Sequence, residues 1–170
     1  MTAERDQGSL DDGAEHEQDV DDLRKFIERF TSVLIEAGVP RMPARVFAAL
    51  LASDRPRLTA AELADLLQAS PAAISGGVRY LIGVGMCARE GEPGSSRHYY
   101  RTPANVWDEV MGSQTRALAR WAAVLRDGIE LLGPDTPGGA RMADSVEYFD
   151  FVITEVPRIT ARWQERRPSS

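Results

Sequence analysis

Residues 58–90 read LTAAELADLLQASPAAISGGVRYLIGVGMCARE, and the punctuation of this stretch decides the fold. Thr59 precedes Glu62 by three residues, the spacing at which a hydroxyl and a carboxylate each satisfy the other residue's backbone N–H in a capping box. The helix opened there carries Leu63, Leu66 and Leu67 on one face. Ser70 caps a second helix, and Pro71 takes its first position, where a missing N–H costs nothing. Ile74, Val78 and Leu81 recur at helical spacing, and Gly83 or Gly85 closes the helix. Ala64 is small where the two helices must cross near their tight turn. The spacing therefore predicts a helix-turn-helix.

Working outward, MCARE (86–90) and RHYYRT (97–102) read as two strands around GEPGSS, a Gly/Pro/Ser loop, which makes a hairpin wing. Upstream, Leu23, Phe26, Ile27, Phe30, Val33, Leu34 and Ala37 lie at helical spacing, with Gly38 as the stop. A further helix follows Pro43, with Val46, Phe47, Leu50 and Leu51 inward and Asp54–Arg55–Pro56 behind it. Residues 23–102 thus form a winged helix-turn-helix domain. Residues 1–22 hold almost nothing to bury and read as a disordered acidic leader. Residues 103–170 form a helical region. A helix of about 25 residues after Asn105 is apolar on two faces, GPDTPGG (133–139) breaks it, and a last helix starts near Ala140. Pro157 is expected to kink or split that last helix. The fold class is mainly α, with a small β-hairpin wing and long C-terminal helices.

The chain has 170 residues, of which 43% are hydrophobic and 27% charged, as expected for one globular domain plus an assembly element. No apolar run approaches membrane-spanning length, and the acidic N-terminus lacks the pattern of a secretory signal, so a cytoplasmic protein is expected. Cys87 is the sole cysteine; with only His16 and His98 beside it, neither a disulfide framework nor a structural zinc site is available. Cys87 itself reads as a small buried hydrophobe. No nucleophile–base set and no Gly-rich phosphate loop appears, so no enzyme, metal or cofactor is expected. The net charge is −6, but residues 1–22 hold nine acids and one arginine, while Val39–Thr102 holds eight arginines and five acids. The acidity lies mostly in the leader, and the middle of the chain is mildly basic.

The 58–90 stretch resembles the DNA-binding core of MarR-type transcriptional regulators. Leu63, Ala64, Leu67, Ala69, Ile74, Val78 and Leu81 fall where that family keeps its buried positions. GSSRHYYR (94–101), running into Pro103 and a long helix, is similar to the GbsR-like branch. The resemblance implies a homodimeric, sequence-specific regulator, expected to repress by occluding a promoter, whose partner is double-stranded DNA with a pseudo-palindromic operator. The exposed face of the second helix enters a major groove. Ala72 and Ala73 could meet thymine methyls, Ser75 a base or phosphate, and Arg79 guanine or phosphate, while Gly76 permits close approach. Thr59 and Ser70, at helix starts, are candidate phosphate positioners. Arg97, His98 and Arg101 on the wing are candidates for the minor groove. The wing departs from the family's Asp-x-Arg pattern, with Arg97 the convincing match. Gly76 stands where many relatives have a basic or polar residue, so base readout from this helix is expected to be weak.

Leu23, Phe26, Phe30, Leu118, Trp121, Leu125, Phe149 and Ile153 are the candidate dimerisation residues, because their apolar faces exceed what one small domain can bury. Trp107, Trp121 and Phe149 are candidates for a small-molecule effector pocket. By the GbsR-like resemblance such a pocket suits a quaternary ammonium through cation–π attraction, although core or dimer packing accounts for the same aromatics. The alternative reading of the whole chain is a winged-helix protein-interaction module. It is motivated by the Ala/Ser/Gly composition of the recognition face and by the acidic leader.

Overall fold

A computed structural model describes residues 7–92, 94 and 97–166, with side chains from Val20 onward. The first six residues of the acidic leader and the wing-tip residues Pro93, Ser95 and Ser96 lie outside the described residues. The elements run α1 (Gln7–Glu36), α2 (Arg41–Ala52), β1 (Leu58–Thr59), α3 (Ala60–Leu67), α4 (Pro71–Gly83), β2 (Ala88–Gly91), β3 (His98–Arg101), α5 (Val106–Leu132) and α6 (Pro137–Arg166). They fall into two compact units, Met1–Pro103 and Ala104–Ser170.

In the first unit α2 is the centre, packed by α1, α3 and α4. Ala44, Val46, Phe47, Ala48 and Ala49 are fully buried on it, and Leu63, Ile74 and Leu81 close over them from α3 and α4. Burying a side chain such as Phe47 contributes about 1.5–3 kcal/mol. Leu51, expected inward, is exposed, because Leu50 takes the inward position at the end of the helix. Arg45 ties three helices together. Its Nη2 donates to the Leu67 carbonyl at the end of α3 (2.9 Å) and lies 3.2 Å from Glu28 Oε1 on α1.

The helix-turn-helix forms as its punctuation predicts. Thr59 Oγ1 accepts from the Glu62 N–H (3.2 Å), and the Glu62 carboxylate accepts from the Thr59 N–H (2.7 Å). Ser70 Oγ accepts from the Ala73 N–H (3.2 Å), with Pro71 opening α4. The turn between the helices passes through Gln68, whose φ of 47° is left-handed, and the Ala69 N–H returns to the Ala64 carbonyl (3.0 Å). Such a backbone is strained for a residue with a Cβ, and the Gln68 side chain offsets this by donating to the Asp65 carbonyl (2.7 Å).

Three further features differ from the sequence expectation. The wing is a three-stranded sheet, ordered β1-β3-β2, because Leu58 and Thr59 pair with Tyr100 and Tyr99 before α3 begins. The helix α1 starts at Gln7, well ahead of Leu23, so the part of the leader from Gln7 to Asp22 is helical. That stretch holds five Asp and two Gly against one Ala, two Glu and two Gln, so it is a poor helix former by itself and is helical as an extension of the anchored helix behind it, where each added residue avoids the cost of nucleation. Finally, α6 runs through Pro157 without being split. The proline forfeits one backbone hydrogen bond, and four or more helical turns on its N-terminal side and two on its C-terminal side keep the helix going.

The second unit is an antiparallel α5–α6 hairpin. Gly133, at φ 88°, turns the chain, and a Cβ on Gly139 would lie 2.0 Å from the Gly133 carbonyl oxygen, so only glycine fits there. Gly128 likewise lets Met142 approach, since a Cβ would stand 2.8 Å from its Sδ. Arg126 Nη2 donates to both carboxylate oxygens of Asp150 (2.7 and 2.6 Å) near the middle of the hairpin, and Gln164 Nε2 donates to Asp108 (2.9 Å) near its open end. Among its described residues only Val106, Ala122 and Gly139 are buried.

Candidate nucleic-acid interface

α4 presents two faces. Ile74, Gly77, Val78 and Leu81 point into the core, and Ala72, Ser75, Gly76 and Arg79 are exposed, with Ala73 half-buried. No acid occurs between Pro71 and Gly83, so the exposed face is neutral apart from the guanidinium of Arg79. The two glycines part company here. A Cβ on Gly77 would meet Val46 Cγ2 at 3.2 Å and Met42 Cγ at 3.3 Å, so Gly77 allows α4 to pack on α2. A Cβ on Gly76 would meet nothing within 4 Å. Nothing in the described fold requires Gly76, although glycine in a helix interior costs about 1 kcal/mol relative to alanine.

Of the two helix-start hydroxyls, Ser70 keeps its proton to donate outward, since its oxygen only accepts from Ala73. Thr59 does not: its hydroxyl donates to Glu62 Oε2 (2.8 Å) while accepting from the Glu62 N–H, so both functions are committed to the cap. The Thr59 backbone N–H, then its hydroxyl, and then Arg55 hold the Glu62 carboxyl below the usual carboxylate range.

On the wing, Arg97 and His98 are exposed, at the start of β3. Arg101 is differently placed. Its Nε donates to Glu90 Oε1 across the β2–β3 pair, and the opposite oxygen of Glu90 lies 3.6 Å from Arg57 Nη1. The Arg57 guanidinium in turn sits over the Tyr99 ring, 4.1 Å from its centre. Hydrogen bonding from Arg101, with the positive charge of both arginines, holds the Glu90 carboxyl below its ordinary value. One carboxylate thus engages two arginines.

Sequence reasoning missed Arg89. It is exposed on β2, opposite Tyr100 of β3, and with Ser75 and Arg79 of α4 it lines a cleft of about 480 Å³ between α4 and the sheet. The buried Cys87 thiol forms part of that cleft's wall. Burial pushes its pKa up to about 11, so at neutral pH it stays a thiol with little nucleophilic character.

The expected assembly and effector residues lie on α1, α5 and α6. Phe26 stacks on Phe30 (5.8 Å between ring centres), and Phe30 reaches Phe47 of the core (6.3 Å). Leu23 is half-buried on the same helix. In the hairpin Leu118, Leu125, Phe149 and Ile153 are half-buried, and Trp121, 6.1 Å from Phe149, is 59% exposed. Trp121 and Phe149 are therefore brought together. Trp107 is not with them: it lies 14 positions before Trp121 on one straight element, about 21 Å along the helix axis. The three aromatics do not line one small pocket within this unit. Among the described residues no helix is long and apolar enough to cross a membrane.

Comparison with known proteins adds three findings. Residues 105–166, which are α5 and α6 almost to the residue, match the family model of MmpR5-like MarR family transcriptional regulators. The HTH-type transcriptional regulator MmpR5 of Mycobacterium tuberculosis is 28% identical over 151 residues, covering 86% of this chain and 92% of that protein. A solved structure described as a transcriptional regulator superposes with a TM-score of 0.78 at 26% identity, covering 85% of this chain and 99% of the other. The group these similarities name is the MmpR5-like one, not the GbsR-like branch suggested by residues 94–101. These relatives are regulators, a class without catalysis.

Proposed function

We propose that this chain is a MarR-type winged-helix transcriptional regulator that works as a homodimer, binds a pseudo-palindromic operator and represses by occlusion, as its similarity to such regulators supports. The observation that carries the DNA reading is the exposed face of α4. Ser75, Gly76 and Arg79 form a narrow, acid-free surface on an ordered helix beside a wing that bears Arg97. A major groove about 12 Å wide admits one helix, and a low-relief face lets its backbone come close to the base edges. Arg79 supplies the long reach that Ala72, Ala73 and Ser75 lack.

The homodimer reading rests on the hairpin. Trp121 (59% exposed), Val124 (69%), Phe151 (64%) and Trp163 (55%) are apolar surface that two helices cannot hide from water by themselves. A second copy meeting this unit about a two-fold axis buries the same patch on both chains. Two recognition helices related by that axis read half-sites one DNA turn apart, about 34–36 Å. The test is selection of bound fragments from sheared genomic DNA, with Arg79→Ala in parallel and the mass in solution measured by sedimentation. We expect a short palindrome enriched by the wild type, a dimer mass for both proteins, and affinity lowered about 10- to 100-fold in the variant, as for loss of an arginine held against the DNA. No enrichment at low salt would favour the protein-interaction module instead.

A further inference from the structure

Six arginines lie on or near the α4–wing surface, and the structure divides them. Arg55 is bound to Glu62, and Arg57 and Arg101 are both bound to Glu90. Arg79 and Arg89 have no carboxylate partner among the described residues, and they line the same cleft from opposite sides, one from the helix and one from the sheet. The sixth, Arg97, is exposed at the start of β3. The polar side chains lining the cleft are Ser75, Arg79, Arg89 and Tyr100. All four can donate hydrogen bonds, and none is an anion.

We infer that Arg79 and Arg89 form a two-sided clamp for one backbone phosphate of DNA, and that Glu90 withholds Arg57 and Arg101 from the phosphates around it. The inference deepens the DNA-binding reading and rests on it. A cleft that is lined by two arginines, and whose polar side chains can all donate while none is an anion, is matched to a phosphate diester, which offers acceptors only. β-Strand alternation explains the division. On β2, Glu90 shares a sheet face with Tyr99 and Arg101, whereas Arg89 shares the opposite face with Tyr100, toward α4. Consecutive residues of one strand therefore do opposite things: Arg89 offers charge to the cleft, and Glu90 cancels charge on the outer face.

The experiment is the salt dependence of binding to the selected operator and to an unrelated duplex, using the full chain. Each phosphate contact contributes about 0.9 to the slope of log affinity against log salt. Arg89→Ala should weaken both duplexes alike and Arg89→Lys should restore binding, the double variant Arg79→Ala with Arg89→Ala should lower the slope by about that amount, and Arg101→Ala should leave the slope unchanged. Glu90→Gln should steepen the slope by releasing the two held arginines, whereas Glu92→Gln, one acid fewer nearby, should not. Arg89 is exposed, so its variants should melt with the wild type, which a thermal scan checks. Unchanged affinity for Arg89→Ala, or an unchanged slope for the double variant, in a folded protein overturns the clamp, and a fall in slope for Arg101→Ala overturns the role of Glu90. Absence of salt-dependent wild-type binding on either duplex would instead bring down the DNA reading and the clamp with it.

Discussion

The two units of this chain treat their apolar side chains in opposite ways. In the first, Phe47, Leu63, Ile74 and Leu81 are fully buried, and the aromatic of α2 is met by that of α1. In the second, Trp107, Trp121, Tyr148, Phe151 and Trp163 are each more than half exposed, and the α5–α6 contact holds only Ala122 completely. The winged unit has a core that closes within one chain, and the hairpin leaves most of its large apolar side chains open. Substitutions should therefore act on different observables in the two units. Phe47→Ala should cost about 3–5 kcal/mol of global stability, seen in a denaturant titration, because it opens a cavity in a closed core. Trp121→Ala should leave the melting of dilute protein almost unchanged. It should raise the dissociation constant of the proposed dimer about 30-fold, the equivalent of a ~2 kcal/mol interface anchor, measured by sedimentation. Equal and concentration-independent losses from both variants would erase the contrast.

A closer pair sharpens the same contrast within a single helix. Gly77 faces the closed core and Gly76 faces out, so adding the same methyl group to each should have effects of opposite sign. Gly77→Ala should destabilise, since the new Cβ presses on Met42 and Val46. Gly76→Ala has open space and should raise stability by about 1 kcal/mol through helix propensity. If the groove of DNA is what approaches Gly76, the same variant binds the operator more weakly while melting higher. A Gly76→Ala protein that is more stable and binds as well as the wild type would remove the outward face from the recognition argument.

The contrast also explains what the sequence disclosed. The helix-turn-helix was legible because its signals are local: Thr59 with Glu62, Ser70 with Pro71, and leucines at fixed spacing are visible within one helical turn of each other. β1 was not, since two residues give no alternation to read, and its pairing with Tyr99 and Tyr100 joins positions about forty residues apart. The start of α1 was hidden because an acid-rich stretch has the same composition whether it is extended or added to an anchored helix. At the candidate interface, Ser75 and Arg79 follow from helical periodicity. Arg89 and Arg101 could not be ranked without the β2–β3 register, because only that register shows that Glu90 reaches Arg101 and leaves Arg89 alone. The commitment of the Thr59 hydroxyl was written in the capping box, and its consequence is that a capping hydroxyl with a glutamate partner is spent as a phosphate donor.

The smallest effect concerns that cap. Glu62 belongs to the unit with the closed core, and its carboxyl is held below the ordinary 4.5, first by the Thr59 N–H and hydroxyl and then by Arg55. A carboxyl lowered in the folded state stabilises fully above its unfolded value, and the contribution disappears as pH falls through the folded one. The winged unit should accordingly lose melting temperature as pH drops below about 4.5. Part of that loss should vanish in Glu62→Gln, whose side chain still accepts from Thr59 but no longer titrates. Glu90 adds a loss of the same sign from its link to Arg101, so the two variants should flatten the acid limb separately and more fully together. The direct check is an NMR titration of the Glu62 side-chain carboxyl carbon. A midpoint below 4.5 in the wild type that moves up toward it in Thr59→Val would show that the hydroxyl is engaged by the cap. A wild-type midpoint at 4.5 would mean that the cap does not hold the carboxylate, and Thr59 would return to the set of groups able to meet a phosphate.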